Sequence, residues 1–249
     1  MFRRIAIASL LLSGCAPVGE RRNIQLLQEA ERALLLEQHA QAAGLYETFL
    51  ADNPGDPQRA EIRVQAGKAH LGLGRFDAAL RAFDLALNDQ PPPPLRWEIH
   101  FRRAVAFRMQ GEFIRAVESF RVVAAAPAGE RGRSVGSDEL HYEFALALFR
   151  AGDFKSGQVE LARVNPRGAY EKKLLPRLGL AGFTVQVGAY GDESTARAEA
   201  AKLKGSIRPI AGERPLYLVT SGTFVRYDDA LLEADRLKRH GYTDAFVLP

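Results

Sequence analysis

The sequence predicts an all-α helical-repeat array followed by a small α+β domain in βαββαβ order. Three observations carry this. A glycine–aromatic–small–apolar pattern recurs through the middle of the chain at steps of 37 residues (74 to 111) and 41 residues (111 to 152). Hydrophobic periodicity changes from helical to alternating at Phe183. The first fourteen residues read as a leader that belongs to neither part. The 249 residues are 47% hydrophobic and 26% charged, so real cores can form and wholesale disorder is excluded. A single cysteine excludes an internal disulfide and a cysteine-based zinc site.

The leader consists of a basic Phe2-Arg3-Arg4 and an apolar run from Ile5 to Gly14. About 20 apolar residues are needed to span a bilayer, and this run is half as long. It therefore reads as an export signal. Leu12-Ser13-Gly14-Cys15 places the sole cysteine at the cleavage position and resembles the bacterial lipoprotein signal. That resemblance implies acylation of Cys15, cleavage before it and a lipid-anchored mature chain, two or more acyl chains being needed for stable anchoring. Ala16, in place of an aspartate, implies the periplasmic side of the outer membrane. An ordinary signal peptide with an incidental cysteine is the alternative. Losing Arg3 and Arg4 with the leader reduces the net charge from +4 to +2, so the basic pI carries no nucleic-acid signal.

The repeats come next. Gly74-Arg-Phe76 with Ala79 and Phe83, Gly111-Glu-Phe113 with Ala116 and Phe120, and Gly152-Asp-Phe154 with Gly157 and Leu161 share one frame. A fainter copy holds His39, Ala42, Tyr46 and Phe49, with Glu37 in the glycine slot. Upstream, Gly67, Ala104 and Ala145 mark the small positions of each preceding helix. This pattern resembles the tetratricopeptide repeat (TPR), a stacked helix–turn–helix of about 34 residues. The glycine ends the first helix, and the small residue lets the second approach it. Pro91 to Pro94 reads as a stiff spacer between hairpins. Such arrays stack into a solenoid. The resemblance assigns its inner surface to Lys68, Phe101, Arg108, Tyr142 and Arg150, facing an envelope protein partner; packing roles for the aromatics are the alternative. The five histidines show no metal spacing, and neither metal nor cofactor is expected.

The last part begins with a strand at Phe183 to Tyr190, then a helix from Glu193 to Lys204 and strands at Ile207–Ile210 and Leu216–Gly222. A helix from Asp228 to His240 and a strand from Thr243 to Leu248 complete it. This is the split βαβ, ferredoxin-like arrangement of one antiparallel sheet with two helices on one face. Two half-copies are visible, Val185 to Tyr190 and Val219 to Phe224, each with a glycine and an aromatic two residues on. The region resembles the SPOR (sporulation-related repeat) domain. The resemblance implies binding of denuded peptidoglycan glycan strands on the helix-free sheet face, through Thr184, Gln186, Tyr190, Leu218, Thr220 and Phe246. Ala189 and Leu218 depart from the family's usual serine and arginine. RNA-recognition domains share the element order, but residues 183–249 hold nine basic and nine acidic side chains, which supplies little attraction for phosphate.

The organisation expected is a leader at 1–14, a lipidated tether at 15–22, repeats at 23–165, a linker at 166–182 and a SPOR-like domain at 183–249. The function expected is a non-enzymatic scaffold between membrane, wall glycan and a protein partner, at the division site by resemblance. A TPR lipoprotein serving envelope assembly is one alternative. A peptidoglycan-cleaving enzyme is another, because 30 acidic residues offer many carboxylate pairs. The lipid expectation has a direct test. Cys15→Ser is expected to lose metabolic labelling by a fatty-acid probe and to leave the membrane fraction; equal membrane recovery, with no label on the unaltered chain, refutes it.

Overall fold

The computed structural model describes residues 18–127, 129–132, 135–210 and 215–248. The leader, Cys15 and Ala16 lie outside the described residues, as does part of the 15–22 tether. Two compact units divide at Asp89 and Gln90. The first holds α1 (Val18–Leu35), α2 (His39–Asp52), α3 (Arg59–Gly72) and α4 (Phe76–Asn88). The second holds α5 (Pro93–Gln110), α6 (Phe113–Ala124), α7 (Ser137–Arg150), α8 (Phe154–Leu161) and the short α9 (Glu171–Leu174). After these come β1 (Phe183–Tyr190), α10 (Glu193–Leu203), β2 (Ser206–Ile210), β3 (Leu216–Phe224), α11 (Tyr227–Arg239) and β4 (Phe246–Leu248). Among the described residues, no helix is long and apolar enough to cross a membrane.

Helices α1 to α8 form four hairpins with one turn chemistry. Gly74, Gly111 and Gly152 adopt φ of 67°, 89° and 87°. In each case the next residue's N–H donates to the carbonyl five positions back: Arg75 to His70, Glu112 to Phe107 and Asp153 to Leu148, each at 2.9 Å. A left-handed residue there satisfies orphan carbonyls at the helix end. Glu37 makes the same turn at φ 57°, with Gln38 donating to Ala33 at 2.8 Å. The faint first copy is therefore a full member of the frame. The small positions Ala42, Ala79, Ala116 and Gly157 are buried, as are Tyr46, Phe83, Phe120 and Leu161. A Cβ on Gly67 would overlap the Phe83 ring, and one on Gly157 would overlap Phe149.

Pro91–Pro94 is not simply a spacer. Pro92 is the extended N-cap of α5, and Pro93 and Pro94 form its first turn. That turn has no intrahelical use for their missing N–H groups, and the fixed φ suits it.

The sheet runs β2-β3-β1-β4, all neighbours antiparallel. Phe183, Val185 and Val219 meet Ala196 and Ala200 of α10 and Ala230, Ala234 and Leu237 of α11 in one core. The opposite face carries no helix of this sheet's own.

The linker expected at 166–182 is a docked segment and does not separate two bodies. Gln158 of α8 donates to the carbonyls of Arg177 (2.8 Å) and Leu180 (3.2 Å) and accepts from Gly179 N–H (2.9 Å). Phe154 of α8 stacks edge-on against Phe183 at 4.9 Å, so the last hairpin also joins the sheet's core.

The turn frame generates a stability test. Glu37→Gly relieves a left-handed side chain and is expected to stabilise by about 0.5–1 kcal/mol after the unfolded-state entropy of glycine. Gly111→Ala is expected to destabilise by about 1 kcal/mol. Urea unfolding of both variants checks the pair; equal, same-sign changes would contradict the shared turn.

Candidate functional site

The face of the sheet left free by α10 and α11 is fixed by register. Gln186 lies opposite Thr220 on β3 and Phe246 on β4, Thr184 opposite Leu248, and Ala189 opposite Leu218, which in turn pairs with Arg208 of β2. Thr184, Gln186, Leu218, Thr220 and Phe246 thus share this face. Tyr190 does not. Gly188 pairs with Val219 on the helix side, and a Cβ there would collide with the Tyr190 ring. Gly222 has the same relation to Phe224. The aromatic two residues on folds across its own glycine, which explains the glycine–x–aromatic half-copies as packing. Burial pushes the Tyr190 hydroxyl above its ordinary range, with Glu199 of α10 adding to it.

Exposure divides the shared face. Phe246 is 46% exposed and Gln186 half-exposed, whereas Leu218 (3%), Thr184, Thr220 and Leu248 are buried. The Thr184 hydroxyl donates to Gly222 O at 2.7 Å, inside the sheet. Beside Leu218, Arg208 of β2 rises from the same face and meets the segment that precedes β1. Its guanidinium donates to the carbonyls of Leu175 (3.3 Å), Pro176 and Leu178. Burial lowers the pKa of Arg208 from its ordinary value. Leu218, Thr184 and Thr220 are therefore not offered to a ligand in this arrangement.

The exposed end of the face is a shallow groove lined by Gln186, Val187, Gly188, Ala189, Tyr190, Asp244 and Phe246. Pairing of β1 with β4 stops at Gln186, so beyond it the β1 backbone has no ladder partner on that side. The Gln186 amide makes no side-chain hydrogen bond to another described residue. An amide, a carboxylate, backbone polar groups and an exposed ring thus converge on one groove.

The repeat positions expected to line a groove lie differently. Phe101 is fully buried, edge-on to Phe120 at 5.9 Å. Arg108 pairs with Glu143 of α7 at 2.7 Å. Tyr142 is buried and packs on Tyr170 at 4.8 Å. Arg150 lies over the rings of Phe113 (5.2 Å) and Tyr227 (3.2 Å). Lys68, on α3 in the other unit, is half-buried and engaged. Packing claims the aromatics, and ion or ring partners hold the cations. Among the described residues, no group of three or more His, Cys, Asp or Glu is placed to hold a metal ion. Sequence reasoning missed Gln158, Arg208 and Asp244; Arg208 stood in the alternation of its strand, but nothing local signals that a linker runs over it.

Residues 179–249 match the family model of the SPOR domain, and residues 64–130 match a tetratricopeptide repeat model. The chain carries a SPOR domain after a TPR-type repeat. Comparison with curated proteins gives no match. A SPOR domain implies peptidoglycan binding, and a TPR array implies a protein partner; both are non-catalytic binding modules. The fold class expected from the sequence, helical repeats followed by a small antiparallel sheet domain, is the one observed.

Leu218 gives the test of this geometry. An arginine there would restore the family's usual residue, but it would place a charge on a covered face. Leu218→Arg is expected to lower the stability of the chain by about 3 kcal/mol or more, whereas Gln186→Ala leaves it nearly unchanged. Thermal unfolding of both checks this; a stable Leu218→Arg variant means the face is open.

Proposed function

We propose that this chain is a non-enzymatic envelope scaffold whose SPOR sheet holds denuded peptidoglycan glycan at the groove between Gln186 and Phe246. Its repeats recruit an envelope protein, and a lipid on Cys15 holds its start at the periplasmic side of the outer membrane. The observation that carries the wall contact is the half-exposed Gln186 beside the exposed Phe246 and the unpaired β1 edge. Glycan strands present hydroxyls, N-acetyl groups and flat apolar sugar faces. The amide donates and accepts at once, and the ring stacks on a sugar face. Asp244 adds an acceptor for hydroxyl donors. The division site, where denuded strands arise by resemblance to other SPOR proteins, is the place this reading favours.

The test uses denuded glycan strands and the full chain. One hydrogen bond contributes about 0.5–1.5 kcal/mol, so Gln186→Ala is expected to weaken binding about threefold to tenfold with folding preserved. Phe246→Ala is expected to do the same or more. Val187→Ala, buried in the sheet's core, is expected to cost about 1–3 kcal/mol of stability instead. Undiminished sacculus binding by both surface variants would move the wall contact elsewhere in the chain.

A further inference from the structure

One short segment touches both of the chain's expected binding surfaces. Residues 169–180 lie against α7 and α8 on one side, and on the other they meet Arg208 on the open face of β2. Toward the repeats, Tyr170 packs on Tyr142 at 4.8 Å and Leu174, 1% exposed, enters the cluster of Tyr142, Ala145, Phe149 and Leu161. Arg177 lies close enough to Tyr142 for each to influence the other's charge, and burial lowers the pKa of Arg177. Burial pushes the Tyr170 hydroxyl up to about 12. Toward the sheet, Arg208 donates to three carbonyls of one turn, those of Leu175, Pro176 and Leu178, and its cross-strand neighbour Leu218 is buried.

Tyr170, Leu174 and Arg177 stand at i, i+4 and i+7, one face of a helical turn. They occupy the surface of α7 that a repeat array of this kind offers to a partner. We propose that residues 169–180 are an internal ligand: a strap that fills the α7 surface and holds half of the glycan face closed, displaced by a partner segment with the same aromatic–leucine–arginine face. Partner and glycan then bind cooperatively, because each competes with the same strap and releasing it for one frees the surface for the other. The glycan half of this inference rests on the reading of the SPOR groove given above; the partner half does not.

The chemistry of the partner follows from what the strap uses. An aromatic ring stacks on Tyr142, a leucine fills the apolar cluster, and an arginine supplies positive charge within electrostatic reach of Tyr142. A helical segment with those three groups reproduces the ring stack and the leucine insertion that the strap makes with α7, without the tether that joins it to the sheet.

The experiment uses the full chain and a labelled synthetic peptide of residues 168–181. Tyr170→Ala/Leu174→Ala weakens the strap and leaves the α7 surface intact. Fluorescence anisotropy is expected to show the peptide binding this variant at least tenfold tighter than the unaltered chain, whose own strap competes. The variant is also expected to bind denuded glycan strands at least threefold tighter. Circular dichroism checks the fold, and Tyr170→Ala alone, which removes only a ring stack, is expected to show the same changes at smaller size. Equal peptide affinity for all three proteins overturns the strap. Tighter peptide binding with unchanged glycan affinity, while Gln186→Ala still weakens glycan, overturns the coupling. If no protein retains glycan, the groove reading falls, and the peptide measurement alone decides the strap.

Discussion

The arrangement of the second unit depends on how the carbonyls of a short linker are satisfied. A chain segment lying against packed surfaces carries partly buried carbonyls, and each is better satisfied by a donor. Arg208 from the sheet and Gln158 from the last hairpin supply them from opposite sides. Because both donors are long, charged or bifunctional side chains on rigid elements, they fix the segment more firmly than apolar contact alone. With that segment fixed, the last repeat and the sheet become one compact unit, and the burial of Leu218, Thr184 and Leu248 follows.

The helical frame was legible because its turn needs one unusual backbone conformation. Glycine at 74, 111 and 152 advertises it, and the small and aromatic residues at fixed offsets mark the packed face. Of the strands, β1 spans the residues whose alternation marks it, Phe183–Tyr190, whereas the strand expected from Thr243 to Leu248 is one only at Phe246–Leu248, Thr243 and Asp244 forming a turn. The site was less legible. Alternation correctly put Gln186, Leu218, Thr220 and Phe246 on one face, yet no periodicity tells whether that face meets solvent. Tyr190 was misplaced for a related reason. A glycine followed by an aromatic two residues later looks like an exposed ring beside a flexible hinge, while the ring in fact fills the volume its glycine leaves vacant. The groove residues expected on the repeats are packed or engaged within the chain itself. Here the chain's own continuation packs on α7, and the cations are consumed by Glu143 and by aromatic rings.

Electrostatics in the second unit are organised as local pairs, with no single field. Arg102 with Glu139, Arg108 with Glu143, and His141 with Glu160 each bridge neighbouring helices at 2.7–3.0 Å. Half-buried pairs of this sort fix which helix faces meet more than they add to stability.

The paired glycines of the SPOR sheet impose a rule on how this domain can vary. Gly188 and Tyr190, and likewise Gly222 and Phe224, share one volume between two positions. Filling the first requires shrinking the second. Each pair can therefore drift only together, and a lineage that loses the ring is freed to gain a side chain at the glycine, with Gly222 further held by its positive φ of 66°. The two half-copies of the domain thus behave as two inseparable couplets rather than four independent sites.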